Sequence, residues 1–301
     1  MSMARGALVT WGRVLRISLW PTAVSDGLAG LALAGLNGCP TGSQWGLFGA
    51  SMGIYHGAMA LNDWADSQQD ASTRPERPIP SGLVDRNAVL AVALTMILGG
   101  VAIAASMDLR FGIWMAGIAS LAVGYDLWLR GPLLGPLTLG TCRALHMGAP
   151  IVLLSHSSLS EHLPLLVGYG VYVFTLSRLA HMEELPAEQL GKKPLFLVLA
   201  QATAFATPLL LSLLQDDLRH PWLVLTLAGL GLAVLLRSAF AEKAWPPARV
   251  QASVGTALRL LLVYAAAAAL TGTGSFAPVA AACILAGYPI AYGLRKLFPP
   301  T

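Results

Sequence analysis

The chain has 301 residues, 55% of them hydrophobic and only 11% charged, where a soluble domain carries about 25% charged residues. Its apolar residues fall in long blocks, which excludes a sizeable soluble domain and defines a polytopic helical membrane protein. The formal net charge of +4 comes from loop lysines and arginines, so it reports orientation in a bilayer rather than nucleic-acid binding.

In chain order, Arg5, Arg13 and Arg16 precede an apolar block too long for a signal-peptide core, which reads as a retained first span. Blocks of about 20 apolar residues place spans at 15–36, 44–61, 87–106, 111–130, 133–154, 163–183, 194–214, 221–241, 250–271 and 276–294. The expectation is an all-α transmembrane bundle of nine to ten spans, forming one domain over residues 1–301. Cys39, Cys142 and Cys283 are isolated and read as packing residues.

Let the N-terminus lie on one side and each span cross in turn. That side then receives fifteen Lys and Arg, among them Arg74, Arg77, Arg86, Arg130, Arg178, Lys192, Lys193, Arg295 and Lys296. The other receives two, Arg110 and Arg219, while Arg143 and Arg259 fall within spans. The bias makes the first side cytoplasmic, as in a bacterial inner membrane or its equivalent. The acidic clusters at 63–85 and 183–188 share that side, so the working surface is expected to face the cytoplasm.

The segment ALNDWADSQQDASTRPERPIPSG, from Ala60 to Gly82, carries the chemistry. Asn62, Asp66 and Asp70 are spaced i, i+4, i+8 and form one column on a helix, with Asp63 on its flank. No Lys stands at i+4 to relieve the repulsion, and a hard divalent cation would. Mg²⁺ takes one or two carboxylates and completes its shell with water and phosphate oxygens. Arg74 and Arg77 follow, with planar guanidinia suited to phosphate, on a segment kept irregular by Pro75, Pro78 and Pro80. The alternative is a solvated acidic loop at a helix end.

NDWADSQQD (Asn62 to Asp70) resembles the NDxxDxxxD motif of the UbiA superfamily of intramembrane prenyltransferases, and RPERPIPSG (Arg74 to Gly82) its continuation. YDLWLRGPLLGPLTLGTCR (Tyr125 to Arg143) is similar to the Tyr, basic and Gly pattern bridging the family's fourth and fifth helices, with Pro136 where many members have Asn. The resemblance implies Mg²⁺-dependent transfer of a prenyl group from a polyprenyl diphosphate to a small or aromatic acceptor in the membrane. It implies Asn62, Asp63, Asp66 and Asp70 as metal and diphosphate ligands, Arg74, Arg77 and Arg130 as diphosphate partners, and Tyr125 beside the allylic cation. The family's second Asp-rich motif is replaced here by SRLAHMEELPAEQLGKK (Ser177 to Lys193), where Glu183, Glu184 and Glu188 offer oxygens. This pattern is closer to the EboC-like branch.

Charges inside spans are costly and face the protein interior. Asp26 is a candidate for the acceptor or metal site, and Arg143 for the diphosphate, with His146 on the same face. A buried pair of Asp26 with Arg143 or Arg259 that only orients helices is the alternative. Lys192 and Lys193 either clamp diphosphate or only set topology. Trp20, Trp64, Tyr169 and Tyr172 are further aromatic candidates, or packing and interface residues. Two other functions stay open: a degenerate homologue that binds prenyl diphosphate or lipid without turnover, and a transporter. Against the latter, the charges gather at one face rather than the midplane.

Overall fold

The structure is a computed structural model that describes residues 2–42, 44–154, 158–183, 185–214, 218–241 and 244–298. The described residues form helices α1 (Ser2–Val14), α2 (Trp20–Leu33), α3 (Gln44–Thr73), α4 (Arg86–Met107), α5 (Leu109–Leu127), α6 (Leu134–Leu154), α7 (Leu163–Ala180), a single turn α8 (Ala187–Leu190), α9 (Lys193–Leu214), α10 (Pro221–Phe240), α11 (Pro247–Leu270) and α12 (Ala277–Leu297). Short 3₁₀ turns precede α2 at Ile17–Leu19 and α7 at Leu159–His162, and no strand occurs among the described residues. The chain is thus all-α.

Among the described residues, seven helices are long and apolar enough to cross a membrane: α4, α6, α7 with its preceding turn, α9, α10, α11 and α12. The other three expected spans fall on α2, α3 and α5, which do not meet that standard. α2 has 14 residues and is therefore about 21 Å long, short of a hydrocarbon layer of about 30 Å. It begins late because Arg16 adopts the left-handed conformation (φ 48°, ψ 46°) and breaks the helical run ahead of the 3₁₀ turn. It ends in a Schellman motif, with Gly35 at φ 76°, Gly35 N–H donating to Ala32 and Leu36 N–H donating to Leu31. α3 has 30 residues, about 45 Å. Its apolar part, 44–61, is followed by the polar turns 62–73 within the same helix.

Contacts divide the chain into two compact units. The first comprises Met1–Gly27, Pro40–Trp128 and Ala286–Thr301. Its centre is α3 packed on α4 and α5. A β-carbon on Gly53 would come 2.7 Å from the Met96 carbonyl oxygen, and one on Gly100 would come 2.7 Å from that of Ala50. Small residues therefore let the α3 and α4 backbones meet directly. Asp85 caps α4 by accepting from Ala88 N–H at 2.9 Å, and Asp108 caps α5 by accepting from Phe111 N–H at 3.0 Å.

The second unit comprises Leu28–Cys39 and Leu129–Leu285. Within it α7 packs on α6, α9 and α11, and α10 lies against α9 and α11. Its core is aromatic: Tyr169 stacks on Tyr264 with centroids 5.2 Å apart, and Phe205 meets Tyr264 edge-on at 5.3 Å. Tyr172 donates to the Ala257 carbonyl at 2.8 Å and Tyr264 to that of Leu165 at 3.0 Å. Of the aromatic candidates, Tyr169 and Tyr172 are therefore core residues whose rings fill this packing.

Candidate active site

The site is built on the last three turns of α3, where the chain leaves its apolar stretch but stays helical to Thr73. The i, i+4, i+8 spacing does place Asn62, Asp66 and Asp70 on one face, and Asp63 and Asp70 are buried. A buried carboxylate needs a partner, and both have found one away from the i+4 position. Asp63 Oδ1 accepts from Arg16 Nη2 at 2.9 Å. Asp70 Oδ2 accepts from Arg77 Nη1 at 2.6 Å, with both side chains buried. The absence of Lys at i+4 thus does not leave these acids unpaired. Arg77 stays in place because the backbone folds back on it: its N–H donates to Arg74, and Ser81 N–H and Oγ donate to its carbonyl.

Arg16 carries a second contact, from the same Nη2 to Asn62 Oδ1 at 3.3 Å. One cationic nitrogen therefore sits between two oxygens of the motif, and it marks a point where the fold binds positive charge. On its other side the Asn62 amide donates from Nδ2 to Asp126 Oδ1 at 3.0 Å, from the last turn of α5. Burial raises the Asp63 carboxyl above its ordinary range; the charge and hydrogen bond of Arg16, and more weakly the charge of Arg77, oppose this. Arg86 covers the outer side, donating to Ser67 Oγ at 2.8 Å with its guanidinium 4.4 Å from the Trp64 ring centre.

No group of three His, Cys, Asp or Glu converges among the described residues, so there is no ready-made metal cage. The donor set is nonetheless hard oxygen, on one helix face, already neutralising a cation, with arginines alongside. Such a set fits Mg²⁺, which shares its shell between one or two carboxylates and phosphate oxygens. It does not fit zinc, which favours Cys and His.

Asn62, Asp63, Asp66, Asp70, Arg74, Arg77, Tyr125 and Asp26 all lie in the first unit. Asp26 is fully buried on α2, Tyr125 is half-buried at the end of α5, and Arg74 is exposed. Arg130, Arg143, His146, Glu183, Lys192 and Lys193 belong to the second unit. There Arg143 Nη2 donates to Tyr169 Oη at 2.7 Å and lies 5.7 Å from that ring's centre. His146 is buried one turn further along α6, Lys192 and Lys193 are exposed, and Arg178 donates to the Pro132 carbonyl. Glu184 lies outside the described residues. Pro186 divides Glu183 from α8, where Glu188 is exposed, so Glu183 and Glu188 do not share one helix.

Reading along the chain misses Arg16, Arg86 and Asp126. Arg16 and Asp126 stand 46 and 64 positions from Asn62, and only tertiary packing brings them there. Asp126 follows Tyr125 within the bridging motif, which is the one local signal that pointed near it.

Fold and site together define a helical integral membrane protein with an acidic, arginine-lined helix end. The UbiA prenyltransferase family model matches residues 18–253, and the chain belongs to that family. Among curated proteins it is similar to chlorophyll synthase from Avena sativa, 39% identical over 67 residues, or 22% of this chain and 18% of that protein. It is also similar to digeranylgeranylglyceryl phosphate synthase from Methanoregula boonei, 51% identical over 43 residues, or 14% of this chain and 15% of that one. The matches thus span less than a fifth of these relatives' lengths. Among solved structures, one of a digeranylgeranylglyceryl phosphate synthase aligns with a TM-score of 0.65 at 13% identity, covering 89% of this chain and 99% of that one. A UbiA homologue from Archaeoglobus fulgidus bound to GPP and Mg²⁺ aligns with a TM-score of 0.60 at 12% identity, covering 86% and 99%. At such identities these two likenesses establish the fold.

Proposed function

We propose that the protein transfers a prenyl group from a prenyl diphosphate to a small or aromatic acceptor within the membrane, dependent on Mg²⁺ and working from the cytoplasmic side. The observation that carries this reading is the Arg16 guanidinium nitrogen held between Asn62 Oδ1 and Asp63 Oδ1 at the end of α3. Family membership supports the reaction class, and the relatives' names support prenyl donors.

In this reading Asn62, Asp63, Asp66 and Asp70 hold the metal, and Arg74 and Arg77 hold diphosphate oxygens. When bound, Mg²⁺ draws negative charge from the diphosphate and eases its departure. The C1–O bond of the donor breaks with its electron pair leaving on the diphosphate. The acceptor's nucleophilic atom then bonds C1 and gives up a proton. Burial of Asp63 and Asp70 lowers the local dielectric and strengthens each of these ionic contacts. The roles of Arg130, Arg143, His146, Glu183, Lys192 and Lys193 in substrate or metal binding rest on the family's order of motifs, and that of Asp26 on its burial within the bilayer region.

The test uses purified protein and a labelled prenyl diphosphate. Binding is expected only with Mg²⁺ and is expected to vanish in Asp66→Ala, with turnover on at least one member of an acceptor panel. Metal-independent binding sinks the clamp. Mg²⁺-dependent binding without turnover on any acceptor assigns a non-catalytic homologue, a reading that the replaced second acidic motif keeps in view.

A further inference from the structure

We propose that Asp126 is a positioning residue that locks the Asn62 amide with its oxygen toward the cation site. The inference rests on the prenyl-transfer reading above and deepens it. An amide has one metal-ligating atom, the oxygen; its nitrogen donates hydrogen bonds and offers no lone pair to a cation. Asn62 therefore serves a cation in one of its two flips only. Asp126 is 4% exposed, and its Oδ1 accepts from Asn62 Nδ2 at 3.0 Å. Asn62 Oδ1 accepts from Arg16 Nη2 at 3.3 Å. Turning the amide over sets its NH₂ against a guanidinium and its oxygen against a carboxylate. Two hydrogen bonds become two repulsions, so the flip is fixed from both sides. Arg16 itself is a cation at the site and must yield to a bound metal ion. Asp126 faces the opposite side of the amide and has no such conflict, so it is the partner that keeps the oxygen aimed when the site is loaded. This is the work of groups behind metal ligands in general, whose removal costs 10–100-fold in metal affinity.

A tether that only joins α5 to α3 would make the same contact, and three variants separate the two roles. The full-length protein is titrated with Mg²⁺ in the presence of a non-cleavable thiolodiphosphate analogue of geranyl diphosphate, and the half-saturating Mg²⁺ is read from analogue binding. Asp126→Ala is expected to raise it about 10–100-fold. Asp126→Asn keeps an acceptor oxygen at the same place and is expected to stay close to wild type. In an Asn62→Ala background, Asp126→Ala is expected to add nothing further, because the group that it orients is gone. Unchanged Mg²⁺ dependence in Asp126→Ala, additive losses in the double variant, or equal losses in the Ala and Asn variants each overturn the positioning role. If Asp126→Ala does not fold, Asp126→Asn carries the test alone: a loss as large as that of Asn62→Ala overturns it. Metal-independent analogue binding by the wild type sinks the prenyl-transfer reading instead, so the two failures are distinguishable.

Discussion

Arg16 is the only non-glycine with positive φ among the described residues, at 48°. A β-carbon in that conformation crowds the following carbonyl and costs about 1–2 kcal/mol. A helix-favouring side chain at a strained joint is retained where its head group is needed, and here it reaches Asn62 and Asp63. Arg16→Gly and Arg16→Ala both remove that head group, but only glycine relieves the backbone. Because the competing cation is gone from Asn62 Oδ1 and Asp63 Oδ1, both variants are expected to keep Mg²⁺-dependent prenyl diphosphate binding. In thermal unfolding of the detergent-solubilised protein, Arg16→Gly is expected to exceed Arg16→Ala by about 1 kcal/mol. The reverse order in that measurement shows the joint to be unstrained.

The approach of α3 and α4 governs where the acid-bearing turns end up, because Gly53, Gly57 and Gly100 leave no space for side chains between them. Gly100→Leu puts a side chain where a β-carbon already comes 2.7 Å from the Ala50 carbonyl. It is expected to cost about 1–3 kcal/mol and to weaken Mg²⁺-dependent binding with it, since α3 must shift as a unit; full binding in a stable variant refutes this. In the second unit, Gln201 on α9 is fully buried, and among the described residues neither of its amide atoms has a hydrogen-bond partner. Gln201→Leu removes an unsatisfied polar group and is expected to raise stability by about 1–3 kcal/mol; a fall shows that the amide is bonded in the membrane-embedded protein. The long helices were legible in the sequence as apolar runs, and the seven that qualify as spans keep their expected bounds to within a few residues. A reading of apolar runs misses the short α2, although Pro21 in its first turn is a local signal for a helix starting near Trp20; the left-handed Arg16 ahead of it was not legible. The acid ladder was legible because its spacing is local. Its partners were not: Asp63 and Asp70 pair with arginines 47 and 7 positions away, outside the i+3 and i+4 neighbours that a helix reading inspects.

At the scale of the whole molecule, the proposed cytoplasmic orientation of the site is open to a chemical test. Cys39 is exposed in the loop between α2 and α3, and Glu76 is exposed in the loop after α3. If the apolar part of α3 crosses the bilayer, these two loops lie on opposite faces, with the arginine-rich one inside. Cys142 and Cys283 are replaced by Ser so that one thiol reports at a time. A membrane-impermeant maleimide added to intact spheroplasts is then expected to label Cys39. In a Cys39→Ser background, the Glu76→Cys substitution is expected to label only after permeabilisation. Labelling of Glu76→Cys in intact spheroplasts means that α3 does not carry its acidic end to the cytoplasmic face. The diphosphate donor would then have to be supplied from the other compartment.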